Sequence, residues 1–339
     1  MELRKPFINV FLCCALAGGM GWGCGDDDSG SGGDNPDVNW PGINFCPDSY
    51  LVTDLDVVPA DYTTFTPVDI SDISTCQAMN FLVIYKTNLT SLEGLENLTY
   101  MENLHVKSNA SLNSLNGLDN LTTVMGCYIE DNDSLTDLKG LDNFTTAGFH
   151  LVIKENDSLT SLTGLENLTY KVNFNARELD LYIENNTSLT NLQALKNLST
   201  PIDWLKISGN PVLTSLQGLE DIPTVYDMYV SNNNALTSME GLAGITAVGK
   251  DLRIISNNSL TSLAGMANLS SVGRNLEIKN NRNLPTCEAE RFRDSIGISH
   301  IGGDIEIEYN DDTGTCSWFP ASITDCLKIP KLLMSSYIY

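Results

Sequence analysis

Residues able to carry catalysis are few and scattered. The chain holds three histidines, His105, His150 and His300, and no Ser or Cys stands at nucleophile-elbow spacing to complete a Ser–His or Cys–His arrangement. Glu277 and Glu306, with Glu308 nearby, are the carboxylates that a repeat pattern described below brings to consecutive positions. A glycan-acting enzyme would need such a pair, but exposed Glu on an acidic chain more commonly forms a solvated face. Asp26 to Asp28 and Asn310-Asp311-Asp312 are rich in oxygen ligands, yet lack the spaced ligands and the glycine of a calcium loop. The expectation is therefore no catalytic residue, no metal site, no cofactor and no enzymatic activity.

Cysteine spacing points to architecture instead. Of nine Cys, three (Cys13, Cys14 and Cys24) lie near the amino terminus, and the rest are Cys46, Cys76, Cys127, Cys287, Cys316 and Cys326. None has zinc-ligand spacing, and Cys46/Cys76 and Cys287/Cys316 form local pairs at either end of a repeat region. Both pairs are expected to be end-cap disulfides, each worth about 3–4 kcal/mol where a stack of repeats would otherwise fray. Cys127 takes an inward strand position and reads as an inert core thiol. Cys326 has no local partner, which leaves a free thiol or an intermolecular bridge.

The elements that position these residues come from a repeat. The phrase Leu89-Thr90-Ser91-Leu92-Glu93-Gly94-Leu95-Glu96-Asn97-Leu98 recurs with its first Leu at 89, 112, 135, 159, 189, 213, 236, 260 and 284. The intervals are 23 or 24 residues except one of 30, so a single insertion, Tyr170 to Ala176, interrupts an otherwise regular unit. Upstream of each Leu lies an alternating segment such as Leu151-Val152-Ile153-Lys154-Glu155-Asn156, the pattern of a short strand with one buried face. One coil cannot bury its own Leu and Ile, so coils must stack at about 4.8 Å per strand into a continuous core. The fold predicted is mainly β: a right-handed β-solenoid of nine to ten 23–24-residue leucine-rich coils, with one parallel sheet, short turns and a small C-terminal capping helix.

Each strand ends on an asparagine in register, at Asn109, Asn132, Asn156, Asn186, Asn210, Asn233, Asn257 and Asn281. The spacing predicts an asparagine ladder whose amides satisfy backbone groups in the bend. The 13 Asn-x-Ser/Thr matches are read mainly as by-products of this repeat rather than as glycosylation sites.

Between inward positions the strands present outward columns. The first is read as Leu82, His105, Tyr128, Val152, Tyr182, Lys206, Tyr229, Arg253, Glu277 and Glu306, and the second begins with Ile84, Lys107, Glu130, Lys154 and Glu184. The first half is apolar and aromatic for a solvated surface, which makes Leu82, Ile84, His105, Lys107, Tyr128, Val152, Lys154, Tyr182 and Tyr229 the binding-face candidates. The competing reading is that such residues favour strands and stack as cross-strand ladders.

These motifs, the strand L-x-I-x-x-N followed by L-T-S-L-x-G-L-x-N-L-T with Val248-Gly249 and Val272-Gly273 before the next strand, resemble leucine-rich repeats. More closely they resemble the receptor L domain, here in the form of a bacterial surface lipoprotein. The resemblance covers about residues 80 to 310. It implies that Leu284 to Asp294 is a C-terminal cap, a short helix with Thr286 at its N-cap, tied back to Cys316.

The amino terminus reads as an export signal: Arg4 and Lys5 precede an apolar run from Phe7 to Ala17, too short to span a bilayer. Ala15-Leu16-Ala17 fits a small-x-small cleavage site, while Gly21-Trp22-Gly23-Cys24 resembles a lipobox, departing from it at Gly21. The Gly/Ser/Asp tether after Cys24 favours lipidation there; an unmodified Cys24 in a secreted linker is the alternative. The expected organisation is a signal peptide over 1–23, a tether over 24–44, one solenoid over 45–326 and a tail over 327–339. A net charge of −24 excludes a nucleic-acid binder that works by phosphate neutralisation. The expectation is a lipid-anchored binding or adhesion module at the outer membrane or cell surface, with an unidentified protein or glycan ligand and a membrane contact through the lipid. A self-associating structural envelope protein is the first alternative.

Overall fold

The computed structural model describes residues 43–54, 65–169 and 178–316. The signal segment, Cys24, nearly all of the tether, the insertion Tyr170 to Ala176, Cys326 and the tail 327–339 lie outside the described residues.

The strands are β1 (Phe45–Val52), β2 (Thr66–Pro67), β3 (Ala78–Tyr85), β4 (Tyr100–Lys107), β5 (Thr123–Glu130), β6 (Thr146–Lys154), β7 (Leu179–Glu184), β8 (Ile202–Ser208) and β9 (Thr224–Ser231). They continue as β10 (Ala247–Val248), β11 (Leu252–Ile255), β12 (Ser271–Val272), β13 (Leu276–Lys279) and β14 (Ile305–Glu308). Every pairing is parallel, and successive coils are neighbours, in the order β14-β13-β11-β9-β8-β7-β6-β5-β4-β3-β1-β2. This is a right-handed parallel solenoid. Eight full turns separate Leu89 from Leu284, and partial coils extend the stack at both ends.

The core runs the length of the stack. Two inward strand columns, typified by Leu104, Cys127 and Leu151 and by Val106, Ile129 and Ile153, meet the turn leucines Leu112, Leu115, Leu118 and Leu121, all fully buried. Removing about 0.8 kcal/mol of CH₂ hydration per buried methylene is what drives coil onto coil.

The asparagine ladder forms as expected. Each Asn amide Nδ2 donates to a strand carbonyl of the preceding coil, as Asn156 does to Ile129 at 3.0 Å, while its Oδ1 accepts the backbone N–H of the preceding ladder residue, Asn132 to Asn156 at 3.1 Å. Just before each ladder residue the chain turns through positive φ, at Lys86, Ser108, Asp131, Glu155, Asn185, Gly209, Asn232, Ser256, Asn280 and Tyr309. The ladder reaches one rung further than the sequence indicated. Asn310 accepts from Asn281 N–H at 3.1 Å and donates to Ile278 O at 2.8 Å, so this residue of the supposed solvated turn is structural. At the other end Thr87 replaces the asparagine and donates through its N–H and hydroxyl to Asn109.

A second ladder runs along another edge. Asn97, Asn120, Asn143, Asn167, Asn197 and Asn268, all within Asn-x-Ser/Thr triplets, donate their Nδ2 to a carbonyl of the coil before, at 2.6 to 2.8 Å. Coils also approach closely at glycine: at Gly117 φ is +110° and an added Cβ would lie 1.8 Å from Leu92 O.

Both cap disulfides are present, Cys46–Cys76 and Cys287–Cys316. The capping helix α1 spans Thr286–Ile296 and buries Ala289, Phe292 and Ile296. Its N-cap is Pro285, not Thr286; Thr286 sits inside the first turn and its hydroxyl donates to Asp312 at 2.6 Å. The fixed φ of proline suits a helix start. Among the described residues no helix is long and apolar enough to cross a membrane.

Candidate functional site

Strand register fixes which side chains share the outer face. From β4 onward the first outward column is the one expected: His105, Tyr128, Val152, Tyr182, Lys206, Tyr229, Arg253, Glu277 and Glu306 are successive partners. In β3 the expected phase is wrong by one residue. Leu82 and Ile84 pair with the inward Leu104 and Val106 and are fully buried, while Val83 and Tyr85 take the outward places beside His105 and Lys107. Leu82 and Ile84 therefore belong to the core. Phe81-Leu82-Val83-Ile84-Tyr85 is apolar at every position, so alternation carries no phase there.

Of the remaining candidates, His105 and Tyr128 meet ring to ring, and Lys107 and Lys154 meet at Glu130. Rings contact across four consecutive coils: Phe81 with His105 at 4.9 Å, His105 with Tyr128 at 4.2 Å, and Tyr128 with His150 at 5.9 Å, while Phe65 meets Phe81 edge-on at 5.0 Å. Burial within this run drives His105 down to a pKa of about 4, with Lys107 adding to the effect against Glu130. It also pushes the Tyr128 phenol up to about 12. His105 is thus a neutral ring at pH 7 that stacks rather than pairs. Val152 is buried between Tyr128 and Tyr182, which makes it packing beneath the patch rather than contact surface. Lys107 and Lys154 both reach Glu130, at 3.5 and 3.2 Å, so their positive charge is partly spent internally.

A further outward column was missed by sequence reasoning. One position upstream of the inward leucines, Phe81, Asn103, Gly126, His150, Asp180, Trp204 and Asp227 are successive partners. Here His150 Nδ1 meets Asp180 Oδ2 at 3.0 Å, and Asp180 Oδ1 is buried without a hydrogen-bond partner among the described residues. Trp204 is 41% exposed, and Lys250 Nζ lies 5.0 Å from its ring centre and 2.6 Å from Asp227. The signal available in the sequence was the residue just before each inward Leu, which continues the strand alternation one step upstream.

Towards the C-terminal end the same face is ionic. Arg253 bridges Asp227, Asp251 and Glu277, at 3.2, 2.6 and 3.1 Å, with Asp227 and Asp251 almost wholly buried. Hydrogen bonding from the Asn275 backbone and the charges of Arg253 and Arg274 outweigh burial and hold the Asp251 carboxyl below its ordinary range. Tyr229 stands between Lys206 and Arg253 at the margin of this network. Glu277 is also reached by Lys279, which pairs with Glu306 as well, so both carboxylates raised above are ion-pair partners. Cys127 is fully buried and its thiol is pushed up to about 12 by burial. Among the described residues no group of three or more His, Cys, Asp or Glu is arranged to hold a metal ion.

The fold and this face define a leucine-rich parallel β-solenoid with a binding-type surface. No model of a known protein family matches the chain, and no curated protein does.

Proposed function

We propose that the protein is an exported, lipid-anchored surface module that binds a protein or glycan partner on the outer face of its sheet and performs no catalysis. The carrying observation is the contiguous ring run Phe81–His105–Tyr128–His150, continued along the face by Tyr182 and Trp204. Aromatic rings on successive rungs offer a rigid surface whose side-chain entropy is already spent, which is what interface anchors need. The apolar run before Cys24 and the polar tether after it support export and acylation. By resemblance to enterobacterial lipoproteins, Gly25 after the Cys favours the outer membrane.

Two experiments test this. Intact mass of the membrane-fraction protein, with Cys24→Ser as control, reads the anchor; wild-type chain in the medium cleaved after Ala17 would refute it. Tyr128→Ala and Tyr182→Ala should each weaken partner binding by about 1 kcal/mol or more. Unchanged binding in both, with loss on a change at Glu277 or Glu306, would move the site to the ionic end.

A further inference from the structure

The middle of the outer face is aromatic and negative at once. Trp204 and Tyr226, on neighbouring strands, are 41% and 49% exposed, and register sets Asp203 beside Tyr226. The Tyr182 phenol is raised above its ordinary range first by burial and then by the negative charges of Asp180, Glu184, Asp203 and Asp227. Lys206 offsets Glu184 at 2.6 Å and Lys250 offsets Asp227 at 2.6 Å. Among the described residues, Arg253 on the same face is shared among three carboxylates.

The chain itself shows what such a surface holds. The Lys250 ammonium sits between the Trp204 ring and the Asp227 carboxylate, combining a ring quadrupole with an ion pair. Trp204 has Asp227 beside it on one strand and Asp180 on the other, and Lys250 occupies the Asp227 side. On the Asp180 side, His150 meets one carboxylate oxygen, and the second is buried with no hydrogen-bond donor among the described residues. We propose that the Tyr182–Trp204–Tyr226 patch docks a basic protein segment, with a Lys or Arg side chain stacked on Trp204 on its Asp180 side. The net charge of −24 complements such a partner. This assignment rests on the outer face being the binding surface and names the chemistry that the face selects.

The test uses the full chain and an octalysine peptide, with tryptophan fluorescence and calorimetry at low and physiological salt. Wild type should bind, more weakly as salt rises, and Trp204→Ala should lose about five-fold in affinity with Trp204→Phe between them. Glu240→Gln removes one exposed charge in a turn away from the sheet face and should bind as wild type. Circular dichroism confirms that the variants fold. Equal octalysine affinity in wild type and Trp204→Ala would reduce the effect to bulk charge and overturn the site. Tighter binding of a chitosan oligomer than of octalysine would overturn the protein-segment assignment. Partner binding that is lost in Tyr128→Ala yet not competed by octalysine would overturn the cationic chemistry while leaving the binding face intact. Partner binding unchanged in both Tyr128→Ala and Tyr182→Ala would overturn the binding face itself.

Discussion

Replacing Asn156 with Ala probes the interaction that sets the bend of every coil. Asn156 is fully buried in mid-stack; its Nδ2 donates to Ile129 O and Lys154 O, both at 3.0 Å, and its Oδ1 accepts Asn132 N–H at 3.1 Å. Truncation leaves that N–H buried with no acceptor, at about 1–3 kcal/mol, and removes at least the two carbonyl hydrogen bonds at roughly 0.5–1.5 kcal/mol each. The expected loss is about 2–6 kcal/mol. Asn310→Ala deletes the same chemistry from the last rung, which is only part-buried, so water replaces the lost groups and the cost should stay under about 1 kcal/mol. Asn156→Asp adds a sign test. A carboxylate buried beside carbonyl oxygens has its folded pKa raised above about 3.9, so the variant's penalty should grow as pH rises above that value and shrink on acidification. Urea unfolding followed by far-UV circular dichroism at several pH values reads all three variants. A loss below about 1 kcal/mol for Asn156→Ala, or one equal to that of Asn310→Ala, would refute the claim that buried polar satisfaction rather than leucine packing fixes the bend.

His105 titrates at about 4 in the folded chain against 6.5 when exposed, so it binds fewer protons folded than unfolded. Its contribution to stability should be complete above about pH 6.5 and be lost as pH falls towards 4; the difference between wild type and His105→Phe in thermal melts at pH 7 and pH 4.5 isolates it. Reducing Cys287–Cys316 should open α1 and β14 before the central coils, read as hydrogen exchange that accelerates first at residues 286–308; uniform exchange would contradict this. Gly117→Ala should destabilise by 2 kcal/mol or more, estimated as at least about 1–3 kcal/mol of backbone strain plus the collision with Leu92 O, while denaturation midpoints near wild type would show that the coils can spread. Iodoacetamide should label Cys127 only in denaturant, as mapped by peptide mass, because the thiol is buried and protonated.

The solenoid was legible because its determinants repeat. An inward Leu or Ile at every second strand position and an asparagine at every strand end leave one register that buries the strand leucines and satisfies the ladder amides. Where the pattern lost contrast, the reading failed. Phe81 to Tyr85 offered no polar residue to mark the outward side, so Leu82 and Ile84 were assigned to the wrong face. Asn310 was hidden by its neighbours Asp311 and Asp312, which made a ladder rung look like a solvated turn. Trp204 and Asp180 escaped because the alternation was followed only from the inward leucine onward, although each strand extends it one residue further upstream. The pairing of Lys107 and Lys154 to Glu130 was not legible either, since it depends on register across strands and not on spacing along one.

The coil between Asn156 and Asn186 is 30 residues long, yet its rung has the same geometry as its neighbours, with Asn156 N–H and Nδ2 both 3.2 Å from Asn186 Oδ1. Contour length between rungs is thus decoupled from rung spacing. Turns can take up extra residues without shifting the strands, while whole coils can be copied or removed without disturbing the neighbours' bonds. The two disulfide-closed ends need only meet whichever coil is terminal. A chain built this way behaves as a ruler: each duplicated unit of 23 or 24 residues lengthens the outer face by about 4.8 Å, so the span of ligand it can engage changes by recombination in single, foldable steps.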